Sequence, residues 1–268
     1  MRTQRKFLAW LMALILSVSM IPTAVLAAEP CTVIEGCTLE DRHEGECVTT
    51  TSEAKESGAV EVSSEDSLRS AINSAGGTAS APTVITLTQD IELTQPIKIA
   101  SKHICLKGKT GNEEITIDED VDAGTQMFQI GTTETSQDTS VIFKNINING
   151  ENHARLLVIN ASASVIIEGG AVLKNGKGDI GAGAIVVGHL TLNGGTISGC
   201  HATTSLGGAI YMGGGTFILQ SGRISDCRSD NHGAAVAFFW NPGKFFMYGG
   251  EITNCKKSGN SDDGAIYQ

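Results

Sequence analysis

The chain has 268 residues, 41% hydrophobic and 18% charged, so it is long and apolar enough to bury a substantial core. Its formal net charge of −10 argues against nucleic acid or anionic lipid as a partner, because both require a basic surface. Aromatic residues make up only 5% and glycines number 32, a composition that suits a fold of small and β-branched residues better than a globular α/β domain.

Residues 1–27 have the pattern of a secretion signal. The segment begins with three basic residues, Arg2, Arg5 and Lys6. An apolar run follows over residues 7–21, too short for a good membrane span, and small residues precede Ala28. We expect the mature protein to be secreted or to lie at the cell surface. Its formal charge would then be −13, because removal of the signal takes three cations and no acid from a chain of charge −10.

Residues 28–59 are polar and contain three cysteines. Together with one histidine they form a set whose residue types suit zinc: Cys31, Cys37, His43 and Cys47. Their spacing matches no strong zinc-finger pattern. We favour the alternative of one disulfide and one free thiol in an exported linker, and we predict no metal and no other cofactor.

Residues 60–77 predict a helix, with its central part at about residues 63–75. Ser63 and Asp66 resemble a capping box, and Gly76 and Gly77 end the segment. Its apolar stripe has helical spacing and comprises Leu68, Ala71, Ile72 and Ala75.

Short apolar or alternating segments then predict strands without another helix. The first nine are residues 84–87, 91–93, 97–99, 104–106, 115–117, 128–130, 141–143, 146–148 and 156–159. The stretch 118–139 is longer than a turn, so we expect a loop excursion there.

One phrase is repeated four times in the last hundred residues, beginning at Val165, Leu190, Phe217 and Phe245. The copies lie 25, 27 and 28 residues apart. A second phrase, beginning at residues 183, 208, 234 and 264, lies between them, so each period holds at least two strands. A period of this length, rich in glycine and β-branched residues, predicts a β-solenoid.

Stacking of these copies predicts specific neighbours about 4.8 Å apart. Leu190 should lie between Val165 and Phe217, and Ile197 between Val172 and Ile224. Glycine pairs at residues 169/170, 194/195 and 249/250 should form sharp turns. Three cysteines share one repeat position and should stack as buried thiols: Cys200, Cys227 and Cys255.

The repeat GGTISGC…GGAIYMGGGTFILQSGRISDC resembles that of right-handed parallel β-helix proteins of the pectin-lyase-like superfamily, in particular glycine-rich surface proteins of secreted bacterial type. The resemblance covers roughly residues 60–268. It implies an all-β, right-handed parallel β-helix whose N-terminal helix is a cap, with coils from about residue 82 and an incomplete last coil. The same solenoid carries lyases, hydrolases, adhesins and inert stalks.

An enzyme of that superfamily needs clustered carboxylates and a basic residue on neighbouring coils. The nearest set is Asp226, Arg228, Asp230 and His232 on one coil, with Asn254, Lys256, Lys257, Asp262 and Asp263 on the next. We interpret these as solvated turn residues. The catalytic motifs of the superfamily do not appear, so no catalytic residue is predicted.

Aromatic residues on the last coils are the predicted ligand contacts. Strand alternation places Tyr211, Phe246 and Tyr267 outside, with Trp240 in a turn. Such rings stack on sugars, and they equally cover an edge or pack on one another. The sequence therefore predicts a non-enzymatic, adhesin-like module that binds carbohydrate. The alternative is a polysaccharide lyase or glycoside hydrolase with its site on the last coils or beyond them.

The last residues, 264–268, match the opening strand of a coil. We expect the chain to be part of a longer or truncated protein and to associate end to end through this open coil.

Overall fold

The computed structural model describes residues 59–133, 138–238, 243–258 and 264–267. These residues form a parallel β-solenoid with a single helix, α1, at Glu65–Ser74. The strands in chain order are β1 Val60–Val62, β2 Thr83–Leu87, β3 Ile91–Leu93, β4 Ile97–Ile99, β5 His103–Gly108, β6 Glu114–Ile117, β7 Gln126–Ile130, β8 Thr139–Lys144, β9 Asn147–Asn149, β10 Arg155–Ile159, β11 Ala163–Glu168, β12 Val172–Lys174, β13 Lys177–Gly178, β14 Ala184–Val186, β15 His189–Ser198, β16 His201–Ala202, β17 Ile210–Met212, β18 Thr216–Ser225, β19 Arg228–Ser229, β20 Val236–Phe238, β21 Lys244–Met247, β22 Glu251–Thr253, β23 Lys256–Lys257 and β24 Ile266–Tyr267. The predicted all-β class and parallel β-helix are confirmed.

Successive coils stack their strands into three flanks. Flank A consists of β1, β2, β5, β8, β11, β21 and the first halves of β15 and β18. Flank B consists of β3, β6, β9, β12, β22 and the second halves of β15 and β18. Flank C consists of β4, β7, β10, β14, β17, β20 and β24. A short column D, β13, β16, β19 and β23, follows flank B in the chain and precedes flank C.

The observed register confirms the predicted stacking of the main repeat. Leu190 pairs with Val165 on one side and with Phe217 on the other, and Phe217 pairs with Phe245. The first three side chains have no exposed surface, and the Phe217 and Phe245 rings stack with centroids 5.0 Å apart. Each of the nine segments predicted as strands overlaps an observed strand, and the expected excursion at 118–139 contains β7.

The prediction that Ile197 lies next to Val172 is wrong by one residue. Ile197 pairs with Leu173, and Val172 pairs with Thr196. The predicted pairing of Ile197 with Ile224 on its other side is confirmed. The register changes at the corner before Val172 and Thr196, where Glu168 also faces two residues of β15 in a β-bulge. From Val165 to Val172 the chain advances seven residues, whereas from Leu190 to Thr196 it advances six, so the later coil is one residue shorter across the corner and an ungapped alignment of the repeats is out of phase after it.

The predicted cap helix is confirmed, with two corrections. Helix α1 buries Leu68, Ala71 and Ile72 against the first coil, and Ala75 beyond its end is also buried. Its N-cap is Ser64 rather than Ser63, because Ser64 and Ser67 exchange the two hydrogen bonds of a capping box. Residues 60–62 form β1, which pairs with β2, so this part of the predicted helix is a strand.

The turn after flank B explains the recurring small or polar residue before each stacked cysteine. Asn175, Gly199, Asp226 and Asn254 occupy this turn in successive coils, with φ between 53° and 63°. Glycine, asparagine and aspartate tolerate this left-handed conformation best. The predicted glycine turns are also confirmed, since φ is 77° at Gly170, 92° at Gly194 and 78° at Gly250.

The cysteine stack is confirmed as three free thiols in consecutive coils. Cys200 and Cys227 are buried, whereas Cys255 is half-buried in the last described full coil. A hydrogen bond with Cys200, together with burial, raises the pKa of Cys227 well above that of a free thiol. A hydrogen bond with Cys227 likewise raises the pKa of Cys255. The thiolate form is therefore disfavoured at Cys227 and Cys255.

Several predictions concern residues outside the described ranges. They are the secretion signal, the zinc set of Cys31, Cys37, His43 and Cys47, the contact residue Trp240, and Asp262 and Asp263. Within the described ranges, no helix has the length and apolar character required to cross a membrane.

Candidate ligand-binding face

The structure brings together two of the three described aromatic residues that were predicted as ligand contacts. Tyr211 on β17 and Tyr267 on β24 lie on flank C, whereas Phe246 on β21 lies on flank A. In β17, buried Ile210 and Met212 flank half-buried Tyr211, which confirms the predicted outward direction. Phe246 and Tyr267 are 42% and 37% exposed. The candidate binding face is therefore on flank C, and Phe246 is not part of it.

Outward side chains of flank C form a continuous apolar row, here called the C row. Strand register aligns its members in five consecutive coils: Val158, Ile185, Tyr211, Ala237 and Tyr267. In the two preceding coils the aligned residues are polar, Gln129 and Lys98. The apolar character of the C row therefore begins in the middle of the solenoid and continues to the last described strand.

The two tyrosines of the C row lie two coils apart, with Ala237 between them. Their backbones are therefore about 9.6 Å apart, twice the strand spacing. Ala237 itself has no exposed surface, because the loop at Gly233 lies over it. A Cβ atom at Gly233, where φ is 62°, would be 2.7 Å from the Ala237 Cβ. Glycine is required here for both conformation and space.

A histidine completes the aromatic surface at the end of the C row. The rings of His232 and Tyr267 stack with centroids 4.5 Å apart and planes 17° apart. His232 also forms a parallel bridge with Leu206 in the preceding coil, which fixes the position of its backbone. Beside the row, Val187 is 39% exposed. The face thus offers a flat pair of stacked rings, a second tyrosine and aliphatic side chains, which suits the apolar face of a sugar ring.

A polar cleft of about 460 Å³ lies near column D and extends from earlier coils to Thr203, on the coil of Tyr211. It is lined by Ala123, Gly124, Arg155, Lys177, Gly178, Asp179 and Thr203. The cleft is not among the sites predicted from the sequence. The one sequence feature that could have indicated a polar site here is Arg155, a charged residue followed by two buried leucines in the same strand.

Arg155 is buried, yet its guanidinium is fully engaged by protein groups. It donates hydrogen bonds to the carbonyl of Ile180 at 3.0 Å, to the carbonyl of Gly124 at 3.5 Å, and to the carboxylate of Asp179. Burial lowers the pKa of Arg155, and the neighbouring Asp179 opposes that effect. Lys177 at the rim is exposed, so the cleft combines two cations with one carboxylate.

Two aspartates of the charged turn set, Asp226 and Asp230, are engaged by polar side chains of neighbouring coils. Asn254 donates to the Asp226 carboxylate at 3.2 Å, and Asp230 accepts from Ser258 at 2.6 Å and contacts His201 Nε2 at 2.8 Å. The Ser258 and His201 contacts hold the pKa of Asp230 below its usual value. Ser258 donates to the aspartate rather than to the histidine, so this is not a nucleophile–base arrangement.

Among the residues that the structure describes, no group of three or more His, Cys, Asp or Glu side chains is arranged to hold a metal ion. The ladders formed by Asp226 with Asn254 and by His201 with Asp230 and Ser258 connect neighbouring coils. These hydrogen bonds give the polar residues of the ladders a structural role, as links between turns.

No family model and no curated protein matches the chain. A solved structure from Geobacillus virus E2, ORF18, is similar with a TM-score of 0.36 and 12% sequence identity. The alignment covers 74% of this chain and 60% of that protein, so the chain spans less than two thirds of its length.

Proposed function

We propose that the chain is an exported, non-enzymatic β-solenoid module, adhesin-like in character, that binds carbohydrate on flank C. The observation that carries this proposal is the C row, in which Tyr211 and the stacked rings of Tyr267 and His232 present aromatic surface in register. Ring faces bind the apolar faces of sugars, and the rigid solenoid holds them at a fixed spacing. The secretion signal of residues 1–27 supports export.

A second candidate function is that of a polysaccharide lyase or glycoside hydrolase, and the cleft around Arg155 favours it. A lyase would use Lys177 as a base beside the cations of the cleft. A hydrolase with two catalytic carboxylates requires two acids across the bond to be broken. Among the described lining residues Asp179 is the only acid, and it is engaged by Arg155. The cleft therefore supports the enzyme less well than the C row supports binding.

A glycan array on the mature chain, residues 28–268, distinguishes the two functions when it is run beside assays for new reducing ends and for unsaturated uronates. Binding without product release supports the module. Product formation that is lost in Lys177→Ala supports the enzyme. If the protein neither binds a glycan nor releases a product, both functions are wrong.

A further inference from the structure

Flank A carries a longer outward row than flank C, and its members are almost all apolar. This A row has one residue in each of seven consecutive coils: Val84, Cys105, Ile142, Ile166, Thr191, Ile218 and Phe246. Phe246 is 42% exposed and the others are half-buried, except Cys105, which occupies an outward position but is covered by its neighbours. Thr191 is the only polar member.

Flank B provides the contrast that makes this row informative. Its equivalent row is polar throughout, although Asn149 and Ser225 in it are buried: Glu92, Thr116, Asn149, Lys174, Ser198, Ser225 and Thr253. Single apolar residues on a surface need no explanation, whereas a contiguous apolar stripe indicates an interaction surface. The two flanks belong to the same sheet, so strand propensity does not explain why only one of them is apolar outside.

The residues beside the A row leave it accessible. On one side the aligned residues have short or medium polar side chains: His103, Ser140, Ser164, His189 and Thr216, followed by Lys244. On the other side, near the middle of the row, Lys144 and Glu168 form an ion pair of 3.3 Å. The charges of this pair balance within the coils of Ile142 and Ile166, and Lys107, aligned with Lys144, lies one coil further away.

We propose that flank A is the interface between two copies of this chain, packed face to face with their solenoid axes antiparallel. In that arrangement the twofold axis passes through the fourth of the seven positions, Ile166. Ile142 of one copy then faces Thr191 of the second copy, and Cys105 faces Ile218. Every facing pair contains an apolar residue, which meets the requirement that such an interface be self-complementary. The two ion pairs of Lys144 with Glu168 meet at the centre without excess charge.

The area available is sufficient for a weak dimer. Seven strands at about 4.8 Å and about five residues per strand at 3.3 Å give roughly 550 Å² on each copy, or about 1,100 Å² in total. Specific interfaces begin at about 1,000 Å², so we expect a dimer that dissociates on dilution. The C row lies on another flank, so glycan binding and dimerisation are independent.

Analytical ultracentrifugation of residues 28–268 over a concentration series tests the proposal. The wild type should show a monomer–dimer equilibrium. Ile166→Lys places two lysines at the twofold axis, and we expect at least about a tenfold rise in the dimer dissociation constant. Ser198→Lys, the same type of change on flank B, should leave the dimer unchanged. Unaltered circular dichroism and melting of both variants would show that they are folded.

A cysteine scan tests the register independently of affinity. Under copper-phenanthroline oxidation, Ile166→Cys should give a covalent dimer on a non-reducing gel, because its two copies meet at the axis. This variant and its control both carry serine in place of Cys31, Cys37 and Cys47, which removes the thiols of the N-terminal segment. The control, the same protein with Ile166 retained, should not form the covalent dimer, because its Cys105 faces Ile218. A monomeric wild type at every concentration, or an Ile166→Lys dimer as stable as wild type, would overturn the proposal. Masses that grow beyond two copies would instead indicate end-to-end association through β21–β24.

Discussion

Ile197 offers the clearest test of how the sequence folds into coils. Its side chain has no exposed surface and lies between Leu173 and Ile224, which are also fully buried in the coils on either side. Thr196, the preceding residue on the same strand, points outward and is half-buried. Changing each of them to alanine therefore compares an inner with an outer position under one backbone geometry.

The two variants should differ clearly in the unfolding free energy that they lose. Ile197→Ala removes three carbons from a stack whose neighbours are fixed by strand pairing, so the cavity cannot collapse, and the cost should be about 2–5 kcal/mol. For a domain of this size, 1 kcal/mol lowers Tm by about 2–4 °C, so the loss should be roughly 4–20 °C. Thr196→Ala should cost less than about 1 kcal/mol.

Thermal and urea unfolding followed by circular dichroism measures both variants. Solenoids can lose cooperativity between coils, so the midpoints should be compared with a second probe such as tyrosine fluorescence. Equal losses for Ile197→Ala and Thr196→Ala would show that the strand phase after the β-bulge is wrong.

Three further predictions concern buried polar groups and thiols. Thiol titration should find Cys200, Cys227 and Cys255 free after denaturation and the first two protected in the native protein, whereas a linkage mapped among them would contradict the stacked-thiol account. Burial alone would raise the pKa of Glu113, but hydrogen bonds from the 110–111 turn outweigh it and hold this pKa below its usual 4.5. The stabilisation that ionised Glu113 contributes is therefore present above about pH 4.5 and is lost as the pH falls through the lower pKa of the folded state. The decrease in Tm between pH 7 and pH 3 should be smaller for Glu113→Gln than for the wild type, and an equal decrease would refute the assignment. Asp179→Asn leaves a buried guanidinium without its carboxylate and should cost about 1–2 kcal/mol in urea unfolding, whereas a neutral effect would mean that backbone carbonyls suffice.

Much of the fold could be predicted from the sequence because a solenoid depends on local repetition. The spacing of Val165, Leu190, Phe217 and Phe245 determines both the strand phase and the coil length, and the structure confirms it. What could not be predicted was the phase after the corner at Glu168. The later coil is one residue shorter across this corner, and the pattern of residue types does not show that difference, so only the pairing reveals it.

The site was predicted in part for a related reason. Alternation along one strand predicts that Tyr211 and Tyr267 point outward, and this is what the structure shows. It does not say which flank a strand joins, so Phe246 was grouped with residues that lie on a different flank. The stacking of His232 on Tyr267 depends on a turn that returns the chain over its own flank, and no periodicity encodes that contact.

The most direct test of the central claim is calorimetric titration of the glycan selected by the array into three proteins: wild type, Tyr211→Ser and Tyr248→Ser. Tyr248 is 68% exposed and follows flank A, so its variant makes the same chemical change away from the C row. We expect about a tenfold loss of affinity, near 1.4 kcal/mol, for Tyr211→Ser and no change for Tyr248→Ser. Equal affinities of all three proteins would contradict carbohydrate binding on flank C.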